Sequence, residues 1–344
     1  MSNNTALTTL NCSNNQLISL DLRKNTALVL YEHDNNPIET FYSNNYQENE
    51  TVEDEKNIPQ KPTKSAIEEL TELIGLDSVK SEINTMINSI EVQRIREEKG
   101  LVSEPLLHHY IFTGNPGTGK TTVARVVAKI YKELGILKKG HLVETDRSGL
   151  VAGYVGQTAL QTNKIIDSAL DGVLFIDEAY SLYSSSENDY GHEAIATLIK
   201  RMEDNRDRLV VILAGYTDKM NELLRSNPGL PSRIYKCIEF PDYSPEELYQ
   251  IFESLVIKKG YKLSCNSDNI LRYFQQAVIS KDLYFGNARL VDNKFKEIRE
   301  NQNNRLAVSK DYSEDSLVEI IDSDILLSFD TLARQTKKRP IGFR

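Results

Sequence analysis

Apolar residues follow two different spacings along this chain of 344 residues, and each spacing predicts a type of secondary structure. Apolar positions three and four residues apart, the period of an amphipathic helix, run through 67–90 and again through 123–134. Three short runs are instead apolar at almost every position, as expected for parallel strands that are covered on both faces. These runs are 110–112, 172–176 and 209–214.

A glycine-rich loop joins the first of these runs to the second helical pattern. Residues 114–121 read Gly-Asn-Pro-Gly-Thr-Gly-Lys-Thr, and the helix that follows is expected to end at Gly135 in a left-handed cap. Glycines let successive backbone N–H groups turn towards phosphates, and the helix directs its positive N-terminus at the same place. The order strand, loop and helix therefore predicts a site for a nucleoside triphosphate. The predicted contacts are Asn115, Pro116, Gly117, Thr118, Gly119, Lys120, Thr121 and Thr122.

Two acidic residues follow the second apolar run directly and extend this prediction. Lys120 is expected to reach the β- and γ-phosphates, and Thr121 to offer its hydroxyl to Mg²⁺. Asp177 stands at the end of the strand and is predicted to bind the same Mg²⁺, directly or through water. Glu178 is predicted to orient the attacking water or to accept its proton. The two motifs together predict hydrolysis of ATP and not binding alone.

Composition narrows the partners of the protein. The 41 lysines and arginines against 50 acidic residues give a net charge of −9, which disfavours broad binding to nucleic acid. No long apolar run predicts a membrane span, and the first residues do not resemble a signal peptide, so we expect a cytoplasmic protein. The three cysteines are too scattered for a zinc site, and the adjacent His108 and His109 are expected to be structural.

The first 42 residues contain an internal repeat of about 21 residues. The sequence Asn-Thr-Ala-Leu at 4–7 returns at 25–28, and a later asparagine pair returns in the same register. The pattern resembles bacterial leucine-rich repeats, although two copies are fewer than a continuous core needs. We interpret 1–42 as a leucine-rich-repeat-like fragment or docking element, with partial disorder as the alternative. Residues 43–65 are polar and acidic, which predicts a flexible linker.

The order of motifs from about residue 70 to 343 resembles an AAA+ ATPase, and within that superfamily the group of red-type rubisco activase and stage V sporulation protein K. The resemblance implies an α/β fold, with a P-loop parallel-sheet nucleotide-binding domain at 66–241 and a small α-helical lid domain with a C-terminal tail at 242–344. It also implies ATP and Mg²⁺ as cofactors and a homo-oligomeric ring, with six subunits expected. A capping serine, a proline and a glutamate at 244–247 predict the start of the first lid helix.

The same resemblance assigns nucleotide contacts outside the phosphate loop by position. Ile74 and Gly75 would border the adenine. Arg289, at the start of a later lid helix, would contact the γ-phosphate in its own subunit, with an ordinary surface arginine as the alternative. A polar residue after the third apolar run would sense the γ-phosphate, and here that residue is Thr217 or Tyr216 in place of the asparagine of many relatives.

Arg233 precedes a predicted strand at 236–240 and matches the arginine finger of the family. Such a finger would reach the γ-phosphate of the neighbouring subunit, which requires the ring. Arg225 is a rival for this role, and a surface salt bridge is the alternative interpretation of Arg233.

A glycine-bracketed loop between the two phosphate motifs matches the pore loop with which such machines hold a threaded polypeptide. Its residues are Tyr154, Val155 and Gly156, with the ring of Tyr154 in contact with the client. A tyrosine packed into the core is the alternative, and 183–190 is a weaker second loop. The sequence thus predicts an ATP-driven motor that remodels or threads an unidentified protein. A nucleotide-dependent assembly switch or scaffold is the alternative, no membrane is expected, and nucleic-acid remodelling is disfavoured.

Overall fold

The computed structural model describes 64–102, 108–154, 156–183, 189–281 and 285–325, together with four short strands in the first 42 residues. The chain divides into two compact units, Met1–Thr63 and Lys64–Arg344. Most of the predicted linker, the C-terminal tail and Val155 of the predicted pore loop lie outside the described residues.

The strands of the N-terminal unit pair in parallel with a constant offset. β1 (Thr9–Asn11) pairs with β3 (Leu30–Glu32), and β2 (Ser19–Asp21) pairs with β4 (Thr40–Tyr42). Thr9 lies opposite Leu30 and Ser19 opposite Thr40, so the partners are 21 residues apart in both pairs. This offset equals the length of the sequence repeat, and equivalent positions of the two copies therefore lie side by side.

A five-stranded parallel sheet forms the centre of the second unit, in the spatial order β6-β7-β8-β5-β9. The apolar runs predicted as strands are its three central strands, and every residue of β7 and β8 is buried. The bounds are β5 (His109–Gly114), β6 (Leu142–Thr145), β7 (Gly172–Ile176), β8 (Leu209–Gly215) and β9 (Ile234–Phe240).

Helices cover both faces of this sheet. The helical pattern at 67–90 is divided into two helices by a turn in which Gly75 and Leu76 both have a φ of 60°. The helices are α1 (Ala66–Glu72), α2 (Asp77–Glu98), α3 (Lys120–Glu133), α4 (Arg147–Leu150), α5 (Thr158–Ala169), α6 (Gly191–Asp204) and α7 (Thr217–Ser226). Short 3₁₀ helices span Ala179–Leu182 and Pro231–Arg233.

Alternate residues of the central strands point to opposite faces and build two apolar clusters. Leu174 and Ile176 of β7 pack with the helices on one face, whereas Val173 and Phe175 belong to the cluster on the other. The second cluster continues into the C-terminal helices through residues such as Phe252. The sheet and the helices that follow it thus share one continuous core.

The C-terminal part is a small helical bundle that begins as predicted. The Ser244 hydroxyl accepts a hydrogen bond from the Glu247 N–H at 3.1 Å, and the Glu247 carboxylate accepts one from the Ser244 N–H at 2.7 Å. This capping box satisfies two N–H groups at the helix start. The elements are α8 (Pro245–Lys258), β10 (Lys262–Leu263), α9 (Ser267–Ile279), α10 (Ala288–Ser309), α11 (Glu314–Val318) and β11 (Glu319–Ile320). Among the described residues, no helix has the length and apolar character that a membrane span requires.

His109 lies at the start of β5, where the pairing with β9 shifts register. Its ring is 2% exposed, and its Nδ1 accepts a hydrogen bond from the Val211 N–H at 3.0 Å. Its Nε2 lies 3.4 Å from the Met202 carbonyl oxygen, to which it donates when the proton is on Nε2. Burial lowers the pKa of His109 to about 4. The neutral ring thus has the structural role predicted for it.

We expect the free energy of unfolding to fall as the pH drops from about 6.5 to 4. In the unfolded chain His109 binds a proton near pH 6.5, whereas the folded ring resists protonation until about pH 4, so acid favours unfolding. At pH 5 this histidine should account for about 2 kcal/mol. Denaturant unfolding of the wild type and of His109→Gln at pH 7 and pH 5 measures the effect. Equal losses in the two proteins would contradict it.

Candidate active site

A cleft of about 270 Å³ opens where β5, β7 and β8 end. Because β8 pairs in parallel with both neighbours, the segments that follow the three strands meet at one edge of the sheet. The first turn of α10 closes another side of this cleft. Of the predicted site residues, those that line the cleft are Pro116, Gly117, Gly119, Lys120, Thr121, Thr122, Asp177, Glu178 and Arg289.

The loop between β5 and α3 has the geometry of an anion site. Gly117 and Gly119 have φ values of 72° and 93°, in the left-handed region that favours glycine. The buried Thr118 donates its hydroxyl hydrogen to the Asn115 carbonyl oxygen at 2.8 Å, which closes the loop on itself. The 14-residue helix α3 then begins at Lys120, so its positive end points into the cleft.

Lys120 is held ready for a stronger partner. Its Nζ donates to the carbonyl oxygens of Gly114 and Asn115 at 2.9 and 2.8 Å. Burial lowers the pKa of Lys120 to about 8, although the Asp177 carboxylate opposes this shift. An ammonium that is partly desolvated and bound only by carbonyl oxygens gains when a phosphate oxygen replaces one of them.

The two carboxylates after β7 are held in defined positions. Asp177 Oδ1 accepts a hydrogen bond from the Glu178 N–H at 2.9 Å. Glu178 has a φ of 48° and a ψ of 39°, a left-handed conformation that is uncommon for a residue with a side chain. Backbone outliers of this kind cluster at functional sites, where the surrounding structure maintains them.

The donor groups of the cleft fit a nucleoside triphosphate with a divalent cation. Lys120 and Arg289 supply positive charge from opposite sides, and the loop and the α3 N-terminus supply backbone N–H groups. The Thr121 hydroxyl and the Asp177 carboxylate are the hard oxygen ligands that Mg²⁺ prefers.

Tyr180 is a residue of this cleft that sequence reasoning missed. Its hydroxyl donates a hydrogen bond to Glu178, and burial, with the charge of Glu178 second, raises the pKa of Tyr180 to about 12. Its ring lies 5.8 Å from that of Tyr216, and the Lys219 Nζ lies 4.6 Å from its centre. The only signal in the sequence was its place two residues after Glu178, where the left-handed residue turns the chain back.

Several predicted contacts lie at the margin of the cleft or outside it. Tyr216 lines the cleft, whereas Thr217 begins α7 and does not. The side chain of Asn115 turns to Asp242, to which its Nδ2 donates at 2.9 Å. Gly75 lies against α8, because a Cβ at this position would come within 2.0 Å of Glu247 Oε1.

Arg233 and Tyr154 lie away from the cleft of their own subunit. Arg233 donates to the Gly229 carbonyl oxygen at 2.9 Å, and its Nε lies 3.3 Å from Glu203 Oε2, so the ion pair considered as its alternative is present. Arg225 is exposed in the last turn of α7. Tyr154 is 75% exposed, which shows that its alternative placement in the core is wrong.

Comparison with known proteins identifies the family. Residues 110–242 match the ATPase family associated with various cellular activities (AAA), and 244–335 match an AAA lid domain. The chloroplastic ribulose bisphosphate carboxylase/oxygenase activase of Cyanidioschyzon merolae is 44% identical over 261 residues, which cover 75% of this chain and 88% of the relative. The chain belongs to the AAA family of ATPases. This ATPase therefore hydrolyses ATP, and the cleft contains the motifs that do so.

Other similarities of this AAA ATPase agree with that assignment. Stage V sporulation protein K of Bacillus subtilis is 40% identical over 259 residues, which cover 75% of this chain and 80% of the relative. The AAA domain of FIGL-1 in complex with ADP has the same fold, with a TM-score of 0.54 at 18% identity over 79% of this chain and 85% of that one.

We expect Tyr180→Phe to lower kcat for ATP hydrolysis about fivefold, the value of one hydrogen bond, because Glu178 loses the group that orients its carboxylate. KM for ATP should change less than about twofold, since the ring remains. Steady-state kinetics test this, with Tyr183→Phe as the matched control. An unchanged kcat, or a loss confined to KM, would argue against this role for the hydroxyl.

Proposed function

We propose that this ATPase is a ring-shaped motor of six subunits that couples hydrolysis of Mg²⁺-bound ATP to the remodelling or threading of a protein client. The observation that carries the proposal is the exposure of Tyr154, which is 75% exposed in the loop between α4 and α5. A Cβ on Gly153 or Gly156 would meet nothing within 4 Å, so the loop projects into open space. An aromatic ring at such a place suits contact with a passing polypeptide, because that contact does not depend on sequence.

The cleft supports a definite division of roles in hydrolysis. Thr121 and Asp177 hold Mg²⁺, which when bound supplies charge that stabilises the phosphates. Lys120 and Arg289 bring positive charge to the γ-phosphate from the loop and from the lid. Glu178 orients the attacking water and takes its proton.

The remaining nucleotide contacts are assigned with less direct geometry. We favour Tyr216 over Thr217 as the γ-phosphate sensor because Tyr216 lines the cleft. Ile74 and Gly75 border the adenine in this proposal, since the adjoining Leu76 side chain approaches the phosphate loop: a Cβ on Gly119 would lie 3.4 Å from Leu76 Cδ1.

AAA family proteins commonly oligomerise, and we propose a ring in which Arg233 of one subunit serves the cleft of the next. Arg233 would exchange its contact with Glu203 for the γ-phosphate. The Glu203 side chain is 52% exposed, so the ion pair is screened by solvent and its loss costs about 1 kcal/mol or less. The pairing in the isolated subunit is therefore compatible with a finger that moves to its neighbour.

The client and its recruitment are assigned only by class. The name of the activase relative specifies ribulose bisphosphate carboxylase/oxygenase, and we propose for this ATPase a protein client without naming it. We further propose that 1–42 is a leucine-rich-repeat-like docking element, which the parallel pairing at an offset of 21 residues supports. A cytoplasmic location stays a prediction.

We expect Glu178→Gln to lower ATP turnover by at least about a hundredfold, because the amide cannot accept the proton of the attacking water. Affinity for ATP should change less than about threefold, since the amide keeps the shape of the carboxylate. Turnover and nucleotide binding are measured for both proteins, with the exposed Glu222→Gln as the control. A wild type no faster than Glu178→Gln would remove the assigned role of Glu178.

We expect Tyr154→Ala to abolish client remodelling while ATP turnover without client falls less than about threefold, because the loop lies outside the cleft. Tyr154→Phe should retain remodelling, since the ring is kept. The client is the protein that the Glu178→Gln variant retains from cell extract with ATP, and remodelling is followed by its protease sensitivity. Normal remodelling by Tyr154→Ala would instead favour the assembly switch.

A further inference from the structure

A polar cluster joins the outer side of the phosphate loop to the start of the lid. We call it the lid hub and define it as Asn115 of the loop, Asp242 and Tyr243 before α8, and Asn287 before α10. Tyr243 and Asn287 are buried, and Asn287 has no exposed surface. Buried polar groups need complete hydrogen bonding, and the hub provides it.

Asp242 is the acceptor at the centre of the hub. Its Oδ1 accepts from Asn115 Nδ2 at 2.9 Å and from Asn287 Nδ2 at 2.8 Å. Its Oδ2 accepts from Lys281 Nζ at 3.0 Å. Although burial opposes ionisation, the two amides and the lysine lower the pKa of the Asp242 carboxyl. One carboxylate thus ties the phosphate loop to the lid.

Asn287 adopts a backbone conformation that glycine would adopt more readily. Its φ is 47° and its ψ is −122°, outside the regions that residues with a Cβ prefer. In this conformation its Nδ2 donates to Asp242 and lies within 3.3 Å of the Pro116 and Phe285 carbonyl oxygens, while its Oδ1 accepts from the Tyr243 N–H at 2.9 Å. The strain is maintained by these contacts, which is the pattern of a residue selected for position.

Backbone contacts complete the junction. The Ala288 N–H donates to the Gly117 carbonyl oxygen at 3.1 Å, and the Tyr243 hydroxyl donates to the Thr118 carbonyl oxygen at 3.4 Å. A Cβ on Gly117 would come within 2.4 Å of the Gly286 carbonyl oxygen. The loop therefore has the lid on its outer side and the cleft on its inner side, with no space for one to shift alone.

We propose that Asn287 and Asp242 are positioning residues that hold the first turn of α10 against the phosphate loop, so that Arg289 lies where the γ-phosphate binds. This inference rests on the γ-phosphate contact assigned to Arg289 under the proposed function. Arg289 follows Asn287 by two residues and lines the cleft, so its placement depends on the conformation that the hub maintains. The hub acts on discrimination between ATP and ADP, because it touches neither the acidic pair nor the base.

The test compares the dissociation constants of ATP and ADP, measured by calorimetry with Mg²⁺ in the Glu178→Gln background, which suppresses hydrolysis. In Asn287→Gly the preference for ATP over ADP should fall about tenfold, the value of one charge-assisted hydrogen bond, while ADP affinity changes less than about twofold. Glycine also relieves the backbone strain, so the melting temperature should not fall with it. Asp242→Ala should reproduce the loss, and Asp242→Asn, which keeps an oxygen for both amides, should restore most of it.

A double-mutant cycle with Arg289→Ala separates this role from general destabilisation. If the hub acts through Arg289, adding Asn287→Gly to Arg289→Ala changes the preference no further, and the exposed control Asn293→Ala behaves as the parent. An unchanged preference in Asn287→Gly, or additive losses in the double variant, would overturn the inference while leaving the role of Arg289 intact. An unchanged preference in Arg289→Ala itself would overturn both.

Discussion

The parallel pairing of β5 with β8 and of β8 with β7 is the constraint on which the catalytic chemistry depends. It places the ends of three buried strands at one edge, although the loop and the acidic pair are far apart in the sequence. The strands can be apolar throughout because helices cover both faces, and the chain becomes polar only where they end. The reactive groups therefore project from the rigid part of the molecule, which keeps their separations fixed.

A second constraint acts on the other side of the phosphate loop. The continuous apolar core that extends from Phe175 of the sheet to Phe252 of the lid carries no directional information, since hydrophobic contacts tolerate sliding. The hydrogen bonds around Asp242 supply that direction at the single place where loop and lid touch through backbone atoms. Packing thus keeps the two parts together, and polar contacts determine their angle.

Sequence reasoning succeeded where the chemistry requires particular residues at short, fixed spacing. The glycine loop, the start of α8 and the three central strands could be predicted because each is local. β6 was missed because it lies at the sheet edge and reads Leu-Val-Glu-Thr, without the apolar character of a buried strand. Asp242 and Asn287 could not be found from the sequence, since their partners lie 127 and 45 residues apart in the chain and meet only after folding.

The constant offset between paired strands in the N-terminal unit has a consequence for how this region can change over evolutionary time. Each strand meets its counterpart one period later, so duplication of a stretch encoding one period adds another rung and leaves the existing partners matched. An insertion of any other length between paired strands displaces every later partner at once. Growth or shortening of this region by whole periods is therefore the route that its architecture tolerates.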